Sequence, residues 1–410
     1  MGAPPEPRAG RVAVNAFIAI LLASLLARFG YQMARSPVLP RFAEHLGAMP
    51  ELIGVIVAAS TVTGIFLKLP AGALSDVLGR KRMMVLGGVF FAVPPFLYPL
   101  VDDAAQLLAL RFVHGFATAI FSPVAAAYVA ALAERGRGAR MGWFSSGGDI
   151  GSTAGPLLGG VVLYYTASYA TTYLMVGAIG VLTLVLVLAL PDPGRPGPAR
   201  PSTFAARADA FRQGLRDIAA TPAIFLASGV EAVMYLGFGA FLGFLPVYAR
   251  SVRLDDAEIA AVIAVQLAVA ALAKPAAGWI SDRTGRKRAI VAGLVVCAAA
   301  LPLIFRARGL AELLALVPLL GLGVATVTPV TNALIADLVA THRLGAAMGV
   351  FGTIWDIGEA AGPIAAGFLV GRFGYAPAFD AIAAIMALFA AGFAVLIRTD
   401  GGAPAQGTKP

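Results

Sequence analysis

Long apolar runs separated by short polar stretches occupy most of the chain, at 12–34, 52–71, 83–101, 106–132, 141–163, 170–190, 222–248, 257–279, 289–305, 311–339, 345–370 and 376–397. Each is near the ~20 residues a helix needs to cross a bilayer's hydrocarbon. Six runs precede a polar connection at 191–221 and six follow it. The pattern predicts an all-α membrane protein, with twelve transmembrane helices in two pseudo-symmetric six-helix bundles. Residues 1–190 and 222–400 would form the bundles, and 401–410 a tail.

The halves repeat each other. Gly72-Ala73-Leu74-Ser75-Asp76-Val77-Leu78-Gly79-Arg80-Lys81-Arg82 returns 206 positions later as Gly278-Trp279-Ile280-Ser281-Asp282-Arg283-Thr284-Gly285-Arg286-Lys287-Arg288. At the same shift, or one residue more, Pro40 aligns with Pro246, Lys68 with Lys274, Pro123 with Pro329, Asp149 with Asp356, and Gly155-Pro156 with Gly362-Pro363. Internal repeats at half-length mark duplicated membrane bundles.

Composition agrees, with 59% hydrophobic and 13% charged residues, about half the charge of a soluble chain. The net charge of +9 is a matter of placement. Alternating the loops puts Arg8, Arg11, Arg80, Lys81, Arg82, Arg135, Arg137, Arg140, the linker arginines and Arg283–Arg288 on one side. Arg41, Arg250, Arg253, Arg306, Arg308 and Arg372 fall on the other. The positive-inside rule then places both termini and both repeated strings in the cytoplasm, as in a multi-pass inner-membrane protein. The charge is topological and does not call for nucleic acid. Cys297, the one cysteine, lies in an apolar run and excludes an intramolecular disulfide.

The linker opens rich in Pro, Gly and Arg. Phe204, Ala208, Phe211, Leu215 and Ile218 then recur at helical spacing with Arg207, Arg212 and Arg216 between them. This amphipathic helix either lies on the anionic inner leaflet or is a solvated connector.

On the two loop strings the chain resembles the major facilitator superfamily of secondary transporters, whose Gly-x-x-x-Asp-x-x-Gly-Arg-[Lys/Arg] signature they match. The resemblance spans essentially the whole chain. It implies gate roles for Gly72, Asp76, Gly79 and Arg80 and for Gly278, Asp282, Gly285 and Arg286. Gly79 and Gly285 permit tight turns, Asp76 suits a helix N-terminus, and Arg80 has Glu134 as a carboxylate within reach. The alternative is that the basic residues only set topology.

Gly151-Ser152-Thr153-Ala154-Gly155-Pro156-Leu157-Leu158-Gly159-Gly160 is similar to the antiporter motif of the superfamily's drug:proton antiporters. Its marked positions are Gly151, Gly155, Pro156, Gly159 and Gly160, and the alternative reading is close helix packing alone. Arg111 opens a stretch resembling the family's Arg-x-x-x-Gly motif, linked to proton coupling. Otherwise it snorkels at the outer end near Asp102 and Asp103. His114, one turn on, either titrates or packs through hydrogen bonds.

Charges inside the spans are costly and mark paths or partners. Lys68 lies eight residues before Asp76 and Asp149 nine after Arg140, so both sit roughly 12–13 Å from the same surface. Lys274 and Asp356 match them in the second half. With the facing of helices implied by the resemblance, two crossed pairs result, Asp149 with Lys274 and Lys68 with Asp356. Otherwise the lysines snorkel and the aspartates pair within their own bundles. Glu231, Glu359 and Arg28 are further candidates for cavity or proton-coupling roles. Many relatives carry an acid on the first helix where this chain has Arg28 and Arg35, a departure from the pattern of cationic-drug exporters, and Arg28 and Arg111 would favour an anionic or zwitterionic cargo.

The expected function is proton-coupled efflux of a small amphipathic molecule by alternating access, as in multidrug resistance. The alternative is a proton-coupled symporter or an exporter of an organic anion or metabolite. No cofactor or metal is called for beyond a proton gradient, and the expected state is monomeric. An intramembrane enzyme needs a nucleophile–base cluster or metal ligands at one depth. The three histidines, His45, His114 and His342, lie at different depths. A receptor would need a ligand-reading domain, which the sequence lacks.

Overall fold

The structure, a computed structural model, describes residues 7–132, 137–192, 222–338 and 344–396, with Ala205, Asp209, Arg212, Gln213 and Arg216 between them. The amphipathic linker pattern, Glu134 and the side chain of Asp76 lie outside that description.

The described residues form α1 (Pro7–Arg35), α2 (Val38–His45), α3 (Pro50–Leu78), α4 (Arg80–Ala92), a 3-10 stretch (Pro94–Leu100), α5 (Ala104–Ala131), α6 (Arg137–Thr166) and α7 (Tyr169–Ala189). The second half forms α8 (Pro222–Ser251), α9 (Asp256–Thr284), α10 (Arg286–Ile304), α11 (Leu310–Leu338), α12 (Leu344–Phe373) and α13 (Tyr375–Leu396). Counting α1 with α2, and α4 with the 3-10 stretch, ten spans are long and apolar enough to cross a membrane. The other two spans are α6 and α12, whose polar and small residues dilute their hydropathy. Both stand at the junction of the halves.

The repeat is visible in the backbone. Gly79 ends α3 and opens α4 at φ 98°, ψ 139°, and Gly285 joins α9 to α10 at φ 94°, ψ 137°. Both conformations are almost closed to residues with a side chain, so the string carries glycine there. At the opposite end the turns are capped by polar side chains. Asp103 accepts from the backbone N–H groups of Ala105 and Gln106, and Asp255 and Glu258 form a reciprocal capping box. One asymmetry stands out. The first span breaks after Arg35 and resumes as α2, while α8 runs on through Pro246.

Two helix pairs carry the junction, α3 with α12 and α6 with α9. At the end away from the repeated strings they pack backbone to backbone. A side chain at Gly54 would overlap the Pro363 carbonyl, and one at Gly160 would overlap Ala260. A continuous apolar core crosses the junction there, from Val38, Phe42 and Ile56 to Phe241, Leu245 and Ile263. At the motif end the first half has its own core around Ile20, Met83, Met84 and Val124, with no residue from the second half. The halves are therefore joined at one end, and their cores are separate at the other.

Candidate interbundle site

α12 brings two acids to the first half. Asp356 accepts from the Lys68 ammonium of α3 at 2.5 Å. Glu359, almost one turn further along, receives the Arg35 guanidinium of α1 at 2.6 Å. Across the other seam, Lys274 of α9 reaches Asp149 of α6 at 3.4 Å. These pairs lie between the packed end and the motif end: Lys68, Asp149, Lys274, Asp356 and Glu359 are interior to their helices, and Arg35 closes α1 just before the break that leads into α2.

Their environments differ. The Asp356 carboxylate is 11% exposed, with Lys68 at 41%, whereas Asp149 is 54% exposed. Arg35 and Glu359 are both largely buried. Buried charges need this kind of pairing, because unpaired ones carry a desolvation cost of several kcal/mol. Beyond these, Arg41 on α2 touches both Glu44 and Asp256, so a further ion pair crosses the junction at the packed end.

Arg28 lies seven residues before Arg35, on the same face of α1. It is exposed and makes no ion pair or hydrogen bond among the described residues. A Cβ at Gly151 would stand 3.2 Å from the Arg28 Cβ, and one at Gly148 would be 3.8 Å from its Cγ. The stem of Arg28 thus runs along α6 between Gly148 and Gly151. Two turns towards the packed end, Glu359 is within electrostatic reach of Arg35, Lys68 and Arg28.

Arg111 and His114 stand elsewhere. Both are fully buried inside the first bundle, so Arg111 neither snorkels to the outer surface nor lines an open cavity. Its guanidinium is 5.1 Å from the centre of the Tyr31 ring. The Tyr98 hydroxyl and His114 Nδ1 share a hydrogen bond of 3.1 Å, and Tyr98 stacks on Tyr173 at 3.9 Å. These tyrosines accommodate the buried cation. They went unnoticed in the sequence because aromatic residues in apolar runs read as packing.

Glu231 on α8 is also fully buried, but inside the second bundle beside Thr328 and Thr331 of α11. It makes no ion pair among the described residues, unlike Asp149, Asp356 and Glu359. Tyr235, one turn on, stacks on Trp355 at 4.4 Å and is within electrostatic reach of Glu231, Glu359 and Asp149.

The glycine-rich stretch of α6 packs on α1. Side chains at Gly151, Gly155 and Gly159 would meet the backbone of Leu25, Phe29 and Met33, respectively, while Gly160 turns to α9. Gly358 and Gly362 of α12 pack on α8 in the same way. Pro156 lies inside α6, as Pro363 does inside α12.

The second repeated string closes a clasp within its own bundle. Arg286 holds Asp282 at 2.7 Å and Asp337, at the end of α11, at 3.4 Å. Gly278 leaves open space beside it. Asp337 was not singled out from the sequence, though it stands at the end of α11 as Glu134 stands after α5. Gly72 and Gly79 are in place around the first string, and Arg80 opens α4.

A family model described as the Major Facilitator Superfamily matches residues 20–250 and 227–410. An uncharacterized MFS-type transporter of Methanocaldococcus jannaschii is 26% identical over 343 residues, covering 83% of this chain and 88% of that protein. A quinolone resistance protein, NorA, of Staphylococcus aureus is 25% identical over 155 residues, which is 38% of this chain and 39% of that protein. The fold is similar to a bacterial homolog of the human lysosomal transporter Spinster. The TM-score is 0.75 at 16% identity, over 96% of this chain and 97% of that one.

Proposed function

The chain belongs to the major facilitator superfamily, and from that premise we propose that this multi-pass transporter exports a small amphipathic molecule against an inward flow of protons. The reading rests on one observation above others, three of the ion pairs that bridge the halves, those on the motif side of the packed end, which link α1, α3, α6, α9 and α12. Alternating access requires two arrangements of nearly equal free energy, which cargo and protons bias in turn. Ion pairs at the inner margin of a packed interface suit that task. Protonating Asp149 or Asp356 removes one partner and weakens the hold between halves.

The basic residues favour a cytoplasmic location for the motif end and both termini. The halves share a core at the opposite end, so the arrangement corresponds to closure on the outside. Glu231 is a second proton acceptor, because it can gain or lose a proton without breaking an ion pair. The drug-resistance relative supports efflux over uptake, although it covers only part of the chain.

The test uses inverted vesicles from an efflux-deficient host, energised to an acid interior and monitored with a pH-sensitive dye. A compound that the protein transports in counterflow should dissipate the pH gradient, and Asp149→Asn should abolish that dissipation. Counterflow without proton movement for every transported compound would remove the coupling.

A further inference from the structure

On the motif side of the packed end the junction holds one more base than acid among the described residues. At the level of the three interior pairs, α1, α3 and α9 supply Arg28, Arg35, Lys68 and Lys274, while α6 and α12 supply Asp149, Asp356 and Glu359. Each acid is taken, and Arg28 remains over. A guanidinium stays ionised at any accessible pH, so its charge has to be met by solvent or by a ligand.

Among the described residues, three donors in this zone are unused. Arg28 offers its whole guanidinium, Arg35 retains an unpartnered buried Nε, and the Trp355 indole N–H is buried without an acceptor. Trp355 precedes Asp356 on α12, and Arg28 lies about 10 Å along α1 from Arg35. Both are thus on the motif side of the Arg35–Glu359 pair. Space is available too, since a side chain at Gly148 would find only the Arg28 stem within 4 Å. Facing this zone from α8, Tyr235 stacks on Trp355 and gives an aromatic wall.

We propose that Arg28 binds an acidic group of the transported molecule, a carboxylate, sulfonate or phosphate, while the Tyr235–Trp355 stack receives its planar apolar part. The inference rests on the transporter reading above and specifies its cargo. A planar anion fits the fork of a guanidinium, which makes two parallel hydrogen bonds to such a group. Binding also neutralises the base left over among the described residues at this level, so cargo and interface charge become linked. Arg111 takes no part, being enclosed by tyrosines in the first bundle.

The experiment uses the purified full chain in detergent and four probes of one shape: naphthalene-2-carboxylate, naphthalene-2-sulfonate, the carboxylate's methyl ester, and 2-naphthylmethylammonium. Calorimetry should show the two acids binding at least tenfold more tightly than the ester or amine. Arg28→Gln should erase that preference and Arg28→Lys should retain part of it. Arg28 makes no ion pair among the described residues, so both variants should keep the parent's melting temperature. An amine bound as tightly as the acids, no binding of either acid, or acid binding indifferent to Arg28→Gln would overturn the proposal. Counterflow is read separately in liposomes. Transport of the amine or ester with no preference for acids leaves the transporter standing and removes only the acidic-cargo assignment. Acid binding without movement of any probe argues against the transport reading instead.

Discussion

Lys68 and Asp356 are 288 positions apart in the chain and meet at 2.5 Å across the seam between its halves. The two ends of the pair are not equivalent. Lys68 is 41% exposed and has a long stem, so without Asp356 it can turn its ammonium towards water. Asp356 is held among packed helices and cannot.

Removing the lysine should therefore be worse than removing the acid. Lys68→Met leaves an uncompensated buried carboxylate and is expected to reduce transport at least tenfold, with lower yield of folded protein. Asp356→Asn should cost a few-fold. The exchanged double variant Lys68→Asp/Asp356→Lys should recover more activity than Lys68→Asp alone. Initial rates of counterflow, normalised to protein in the membrane, give the comparison.

The Lys274–Asp149 pair is longer and more exposed. Such pairs contribute about 0–1 kcal/mol, so Lys274→Ala should leave thermal stability nearly unchanged. Its effect should appear in turnover and in the salt dependence of transport, which should flatten relative to the parent. A large fall in melting temperature would show that the pair is structural.

Glu231→Gln keeps the shape of the side chain and removes the ionisable group. Proton-driven accumulation should be lost while downhill counterflow persists. The rate of counterflow should also become less sensitive to pH between 5 and 9. If pH dependence is intact in Glu231→Gln and gone in Asp149→Asn, protons are handled at the junction alone.

Much of this architecture is legible in the sequence. Apolar runs mark the spans, and the repeat shift and two depths, together with the helix facing that the family resemblance implies, set Lys68 opposite Asp356 and Lys274 opposite Asp149. The Arg35–Glu359 pair was not legible, because it depends on the rotation of α1 about its axis near the break before α2. Rotation is set by Gly151, Gly155 and Gly159 packing on α1, and no periodicity in α1 itself reports it. Arg111 misled for a different reason. Its distance from Asp102 and Asp103 fixes its depth, but not whether it faces lipid, cavity or the tyrosines that enclose it.

The turn glycines offer a sharper test of the repeat. Gly79 and Gly285 share a conformation that costs other residues about 1–3 kcal/mol, and no atom crowds either position. Gly79→Ala and Gly285→Ala should each lower the melting temperature through backbone strain alone. Their effects should add, since the turns are in different bundles and share no partner. A double variant much worse than the sum would reveal coupling between the motif ends.

The glycine stripe of α6 separates packing from chemistry. A side chain at Gly155 would run into the Phe29 carbonyl and stand 2.9 Å from the Met33 nitrogen, both of them backbone atoms that cannot swing aside. Gly155→Leu must therefore push α6 away from α1. That shift moves Arg35 relative to Glu359 and Asp149 relative to Lys274 together, because the stripe fixes the position of both helices. Gly142→Ala, near the motif end of the same helix, meets nothing within 4 Å and serves as the matched control. The expected result is loss of folded protein or of transport for Gly155→Leu, with Gly142→Ala equal to the parent. If Gly155→Leu folds and transports normally, α6 and α1 are not packed by this stripe in the working protein. The register of the charge pairs would then need another source.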